Sequence, residues 1–204
     1  MSASRTFATA KDLIESAVEV DAYTPLRRAV ELLIVGKGYA VLVDSNRCFE
    51  CLLGIEGLLE ELLATSNKLL EQPVEKVMTR NVPCIGRREP IERVWKKLLT
   101  TKATALAVVE DDGRIVGVVS EHDLLARGYA RPRFESDNRV GKGPSAETIM
   151  STPPFTVKPG EPLRIVVKWM VSRGIGRVYV VDEDDRLLGV VDRLSIARAW
   201  LSLH

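Results

Sequence analysis

At 204 residues the chain has room for one or two domains and for a real hydrophobic core. Apolar residues make up 46% and charged residues 28%, a globular composition, and a net charge of +1 argues against a globally basic nucleic-acid binder. No apolar run approaches the ~20 residues of a bilayer span, and Met1-Ser2-Ala3-Ser4-Arg5-Thr6-Phe7 has no apolar signal core, so the expected compartment is the cytoplasm, with no membrane partner. Scarce asparagine and glutamine and an excess of arginine over lysine suit a thermophile.

The first segment opens with Thr24-Pro25-Leu26, a helix start, followed by Leu26, Ala29, Val30 and Leu33 at helical spacing. Two apolar runs follow, Val41-Leu42-Val43-Asp44 and Leu52-Leu53-Gly54-Ile55. Between them Cys48-Phe49-Glu50-Cys51 is a lone C-x-x-C. With three cysteines and two histidines in the chain, it lacks the second pair that a zinc site needs, and no metal is expected.

The second segment shows the local logic most clearly. Val82-Pro83-Cys84-Ile85 reads as an edge strand, which tolerates its proline. Pro90 suits a first helical turn, and Ile91, Val94, Trp95, Leu98 and Leu99 form an apolar stripe. Ala105-Leu106-Ala107-Val108-Val109 and Ile115-Val116-Gly117-Val118-Val119 flank Asp111-Asp112-Gly113, a hairpin signal, and Ser120 opens a helix bearing Leu124 and Leu125. The unit reads β-α-β-β-α. Its helices cover one face of its sheet, so the other face needs a second unit.

Arginines and glycines from Arg127 through Arg131, Arg133 and Arg139 to Gly143-Pro144-Ser145 then mark a linker. The third segment repeats the unit: Glu161-Pro162-Leu163, a stripe of Ile165, Val166, Trp169 and Met170, then Val178-Tyr179-Val180-Val181 and Leu187-Leu188-Gly189-Val190-Val191. Trp95 and Trp169 are read as equivalent helix positions that serve packing. Pro90 to Gly117 is 27 residues, Pro162 to Gly189 is 27, and Pro25 to Gly54 is 29, a repeat with a longer hairpin in its first copy.

Val77-Met78-Thr79, Ile149-Met150-Ser151 and Gly117-Val118-Val119-Ser120-Glu121-His122-Asp123, recurring in one order at one spacing, resemble the CBS-domain family. The resemblance extends over three units: 12–63, a degenerate copy entered through Leu13-Ile14-Glu15; 74–127; and 146–202 after a linker at 128–145. It implies an α/β fold of β-α-β-β-α CBS units paired through their sheets into a pseudo-twofold module. It also implies adenosine-type ligands in the clefts, regulation in place of catalysis, and no required cofactor.

The family's ligand signature is glycine, two apolar residues, Ser or Thr, two residues, then Asp. Gly117, Ser120 and Asp123 fit it. A serine at a helix start offers a phosphate site, and a carboxylate one turn on can accept a ribose diol. The same pair is also nearly a capping box, which satisfies helix N–H groups without any ligand. Backbone at Val82, Pro83, Leu106 and Ala107 can sandwich an adenine, Arg177 stands where members carry a phosphate-reaching base, and Tyr179 can stack on a base or fill the cleft. In the third unit Asp192 and Ser195 exchange the two roles, and a carboxylate there repels phosphate. In the first unit Gly57 and Glu60 are read as standing in those two places.

The second and third units are expected to pair with each other, and the first with its copy in a homodimer; the alternative is the first with the second, and the third with its copy. The function expected is an adenine-nucleotide sensor (AMP, ADP or ATP) acting on an unknown protein target. The competing readings are a ligand-free scaffold and, least favoured, nucleic-acid binding through the linker arginines.

Overall fold

The computed structural model describes residues 18–44, 46–129 and 144–203. Leu13-Ile14-Glu15, the linker arginines Arg131, Arg133 and Arg139, and His204 lie outside the described residues. Three sheets of three strands repeat one plan. The first unit is β1 (Glu19–Asp21), α1 (Leu26–Val35), β2 (Tyr39–Val43), β3 (Phe49–Gly54) and α2 (Glu56–Ala64). The second is β4 (Cys84–Gly86), α3 (Ile91–Thr101), β5 (Ala105–Val109), β6 (Ile115–Ser120) and α4 (Glu121–Ala126). A short α5 (Ala146–Ile149) leads into β7 (Thr156–Val157), α6 (Leu163–Arg173), β8 (Arg177–Val181), β9 (Leu187–Asp192) and α7 (Arg193–Leu203). In each unit the first strand is parallel and the third antiparallel to the middle one.

Local chemistry sets the boundaries. α1, α3 and α6 each begin directly after a proline, Pro25, Pro90 and Pro162. α6 ends at Gly174 with φ 65°, a left-handed stop that costs glycine little, whereas α3 ends at Lys102 with φ 53°. The β5–β6 and β8–β9 hairpins also match: Gly113 turns with φ 87° and Asp185, at the same place, with φ 60°.

The second and third units meet face to face. Ala107, Ile115, Tyr179 and Val181, with Val82, Val109, Val118, Leu187 and Val190, make an apolar cluster between their sheets. Their hairpins join through Ile115 N–H to Asp185 O and Leu187 N–H to Gly113 O, both 3.1 Å. The segment leading into each unit packs on the other unit. Thr79 and Val190 exchange two backbone hydrogen bonds (2.8 and 2.9 Å), as do Ser151 and Val118 (2.8 and 3.0 Å). Met78 lies over Gly189 and Met150 over Gly117. Glu147 on α5 pairs with Arg87 at 2.9 Å, and Glu110 holds the same arginine from β5's end at 3.0 Å. The two units are therefore laced as well as stacked.

The first unit attaches differently. Its helices α1 and α2 face α7 and α6, and Val30, Leu58, Leu59 and Leu62 share one core with Leu163, Val166, Met170 and Ile196. Each such fully buried side chain contributes about 1.5–3 kcal/mol. Arg193 reaches Glu56 across this joint at 2.5 Å, and Arg164 hydrogen-bonds Glu71 through Nε at 2.9 Å.

Several expectations need correction. Leu26, Leu99 and Leu125 are 52%, 62% and 55% exposed, because the helices bury narrower stripes than the spacing allows. Trp95 and Trp169 are not equivalent: Trp95 follows Pro90 by five residues and Trp169 follows Pro162 by seven. Val167 holds the matching place and is fully buried, while Trp169 lies beside Phe155 with rings 5.9 Å apart. Trp95 donates its indole N–H to Tyr129 O at 2.7 Å.

Candidate functional site

Strand β6 ends at Ser120 in extended conformation, and α4 begins immediately after it. The capping box forms completely. Asp123 N–H donates to Ser120 Oγ (3.1 Å), Ser120 N–H donates to Asp123 Oδ2 (2.8 Å), and Ser120 Oγ–H donates to the same oxygen (2.5 Å). Asp123 Oδ1 is left toward the third unit's leading segment, with Ser151 Oγ at 3.4 Å. Both Ser120 and Asp123 are half-buried. α4 has only six residues, so charge attraction at this spot depends on side chains more than on a helix dipole.

Thr104, which sequence reasoning did not single out, joins the two units here. Its carbonyl accepts the N–H of Glu121 (3.0 Å), and its hydroxyl accepts from Arg177 Nη2 (2.7 Å). Arg177, half-buried at the start of β8, thus stretches from the third unit to the strand end beside Ser120. The structure brings Ser120, Asp123, Thr104, Ser151 and Arg177 to one seam. Thr104 carried no signal, being a lone threonine before a strand. Ser151 sat in a recurring tripeptide noticed for its position, not for its hydroxyl.

The remaining candidates divide. Val82 and Pro83 are half-buried; Val82 packs on the inter-sheet cluster, and Pro83 O accepts the N–H of Ala107 at 3.1 Å. Leu106 turns its side chain to the core under α3 and α4, leaving only its backbone near the seam. Ala107 faces the other sheet. Tyr179 is 2% exposed within that cluster, so it fills the space between sheets and presents no open ring face. Burial raises its phenol pKa above the ordinary value, and the neighbouring Arg177 pulls the other way.

The third unit builds the same cap with its residues exchanged. Asp192 N–H donates to Ser195 Oγ (3.0 Å), and Ser195 N–H donates to Asp192 Oδ1 (2.7 Å). In the first unit the register overturns the assignment of Gly57 and Glu60. Tyr39 pairs with Gly54 as Ala105 pairs with Ser120 and Arg177 with Asp192. Gly54 and Gly57 therefore stand in the serine and aspartate places, and Cys51 in the place of Gly117.

An open cavity of about 710 Å³ lies at the far end of β5, lined by Arg87, Arg88, Glu89, Arg93, Glu110 and Glu147. It is distant from the Ser120 seam, and Arg87 there is already held by two glutamates, which raise its pKa by hydrogen bonding. Cys48, Cys51 and Cys84 are free and exposed, and the described residues contain no cluster of metal-ligating side chains. No helix among the described residues is long and apolar enough to cross a membrane.

The CBS domain family model matches residues 74–129 and 146–202. The chain belongs to the CBS-domain family. The first unit, whose strand order is the same, lies outside the match. A homoserine O-acetyltransferase of Methanococcoides burtonii is 31% identical over 132 residues, 65% of this chain and 25% of that protein. CBSX2 of Arabidopsis thaliana is 25% identical over 144 residues, 61% of this chain and 60% of that protein. The chain spans from a quarter to three-fifths of the length of such curated relatives. Among solved structures, a Methanocaldococcus jannaschii protein described as a proposed archaeal homologue of g-AMPK superposes with TM-score 0.76 at 22% identity, covering 91% of this chain and 68% of its own. CBSX2 in complex with AMP gives TM-score 0.56 at 26% identity, covering 65% of this chain and 98% of that one.

Proposed function

We propose that this chain is a non-catalytic regulatory protein that binds an adenine nucleotide, AMP, ADP or ATP, at the seam between its second and third units. The carrying observation is the convergence of Ser120 and Asp123 from one unit with Arg177 from the other, joined through Thr104. Arg177 would trade its neutral threonine partner for a phosphate, a stronger charge-assisted bond. Asp123 Oδ1 would accept ribose hydroxyls. The AMP complex of CBSX2 and a 27% identical stretch of the AMPK gamma-3 subunit of Sus scrofa support the ligand class. Because the ligand would touch both units, binding shifts their relative orientation by as much as its affinity differs between orientations. The reading includes a second copy of the chain, a separate protein target that receives the signal, and the cytoplasm as compartment.

One nucleotide per chain is expected, since the third unit places the Asp192 carboxylate where Ser120 would meet a phosphate. Thermal unfolding with AMP, ADP and ATP tests the reading, each ligand effect being taken against that variant's own unliganded baseline. A ligand near 100 times its Kd adds about 2.7 kcal/mol. Arg177→Ala and Asp123→Ala should each abolish the shift. A wild-type protein that ignores all three nucleotides sinks the proposal in favour of a ligand-free scaffold. The completed cap at Ser120, which needs no ligand, favours that second reading.

A further inference from the structure

Beside α3 the second unit has a groove that the matching place in the third unit closes. A cavity of about 360 Å³ lies between β4 and α3, lined by Cys84, Ile85, Gly86, Arg93, Lys96 and Lys97 among others. It shares Gly86, Glu89, Arg93 and Val109 as walls with the cavity of about 710 Å³ at the end of β5, so the two flank one stretch of β4. β4 is the edge strand of its sheet. Pro83 O and Arg87 N–H both bond to β5, so strand alternation turns the N–H and O of Cys84 and Gly86 outward. Gly86 O is taken by Glu89 N–H at 3.1 Å. Cys84 N–H, Cys84 O and Gly86 N–H are left at the groove with no partner among the described residues.

The third unit shows what species suits this place. Counted from Pro90 and Pro162, Lys158 stands in the place of Gly86, Glu161 in that of Glu89 and Trp169 in that of Lys97. Lys158 N–H donates to Glu161 Oε2 at 2.8 Å, and Trp169 packs against Phe155 and under Arg173. In the second unit Glu89 turns to Arg93 instead, at 3.1 Å, and neither Gly86 nor Lys97 fills the wall. The edge N–H of Gly86 therefore lacks the carboxylate that its counterpart holds.

Charge and the exposed backbone then select the occupant. Lys96 and Lys97 are exposed and have no ion pair among the described residues, whereas Glu31 and Leu32 hold those places in the first unit. Arg87 and Arg93 are held by glutamates, and Arg88 and Asp111 at the far end offset each other, so the surplus positive charge lies beside β4. A small anion would answer Gly86 N–H and the lysines, but it gives nothing to Cys84 O, which needs a donor. A peptide strand supplies a C=O and an N–H for Cys84 together with carboxylates for the lysines.

We infer that the edge of β4 takes an extended acidic segment of a partner protein, which adds a strand beside Cys84–Gly86 and sets its carboxylates against Lys96 and Lys97. This rests on the proposed function only in that a protein target exists, and it needs no nucleotide.

The test is fluorescence anisotropy of a labelled peptide of alternating glutamate and valine, titrated with the full chain in the absence of nucleotide, so that it reads this groove and not the Ser120 seam. The peptide should bind, more weakly as salt rises, and a peptide of alternating lysine and valine should not. Lys96→Glu combined with Lys97→Glu should reverse that preference with an unchanged circular dichroism spectrum, since both side chains are exposed. The acidic peptide N-methylated at alternate bonds keeps its charge but cannot pair with a strand edge, and should lose about tenfold or more in affinity, the worth of one or two hydrogen bonds. An N-methylated peptide that binds as well as its parent reduces the groove to a simple anion site and overturns the inference. So does an acidic peptide that fails to bind wild type, or a preference that the charge reversal leaves unmoved.

Discussion

Replacing Gly117 with alanine tests whether the exchange of leading segments holds the paired units together. A methyl carbon there would lie 2.6 Å from Met150 Sδ, 2.9 Å from its Cγ and 3.1 Å from its Cβ. The sulfur end of methionine can swing away, but its Cβ is tied to a backbone held by Met150 N–H to Ala146 O (2.9 Å) and by the paired Ser151–Val118 bonds. Relief must come from an unfavourable rotamer or from loosening that lacing. Overpacking of this kind costs about 1–3 kcal/mol. Removing a glycine from the unfolded chain offsets about 0.4–1 kcal/mol of it. The net loss is roughly 1–2 kcal/mol, a fall in Tm of about 2–8 °C for a chain of this size. Gly160→Ala, with open space around it, is the control and should not destabilise. Met150→Ala in the Gly117→Ala background should recover about 1 kcal/mol or more relative to additivity in a double-mutant cycle. Additive effects, or a neutral Gly117→Ala, would refute the argument that Met150 is pinned over the glycine.

Asp123→Ala should cost about 0.5–2 kcal/mol in denaturant titrations without ligand, through the capping box alone; an unchanged midpoint would mean that the box contributes nothing. Tyr179 keeps its phenol proton longer when folded because burial raises its pKa above 10.0. Below the unfolded value both states are protonated and the stability is whole; as pH rises through the folded value the unfolded state is favoured and stability falls. Tyr179→Phe should flatten that alkaline slope in pH-dependent melts, and an equally steep slope in the variant would assign it to other groups. Lys102→Gly should stabilise by about 0.5–1 kcal/mol, since Lys102 at φ 53° stands where the third unit has Gly174 at φ 65°. A lower midpoint in denaturant would count against that account.

What could be read in the sequence was what is encoded over a few residues. Helix starts after Pro25, Pro90 and Pro162 follow from a missing N–H, and the hairpins follow from turn residues between apolar runs. The identity of the face each helix buries was legible, but its width was not. Leu99 continues the periodic stripe of α3 yet is 62% exposed, because the sheet beneath accepts only Ile91, Val94 and Leu98 fully. Thr104 and Ser151 gain their meaning from partners in the other unit, 73 and 28 residues away in the chain, and no spacing rule encodes that.

The first unit shows why a repeat can be recognised and still be misaligned. The proline-to-glycine distance of 29 suggested that Gly54 matches Gly117. Such a distance adds the helix, the two strands and the hairpin together, so compensating changes within it are invisible. Strand register separates them, since Leu42 opposite Cys51 matches Val108 opposite Gly117. Gly117 and Gly189 must lack a side chain because Met150 and Met78 lie over them. Cys51, in the matching place, is exposed. The glycine is therefore a consequence of how the second and third units are laced, and the first unit, attached through its helices, has no need of it. Its sheet kept the apolar pattern of a face that is buried elsewhere in the chain.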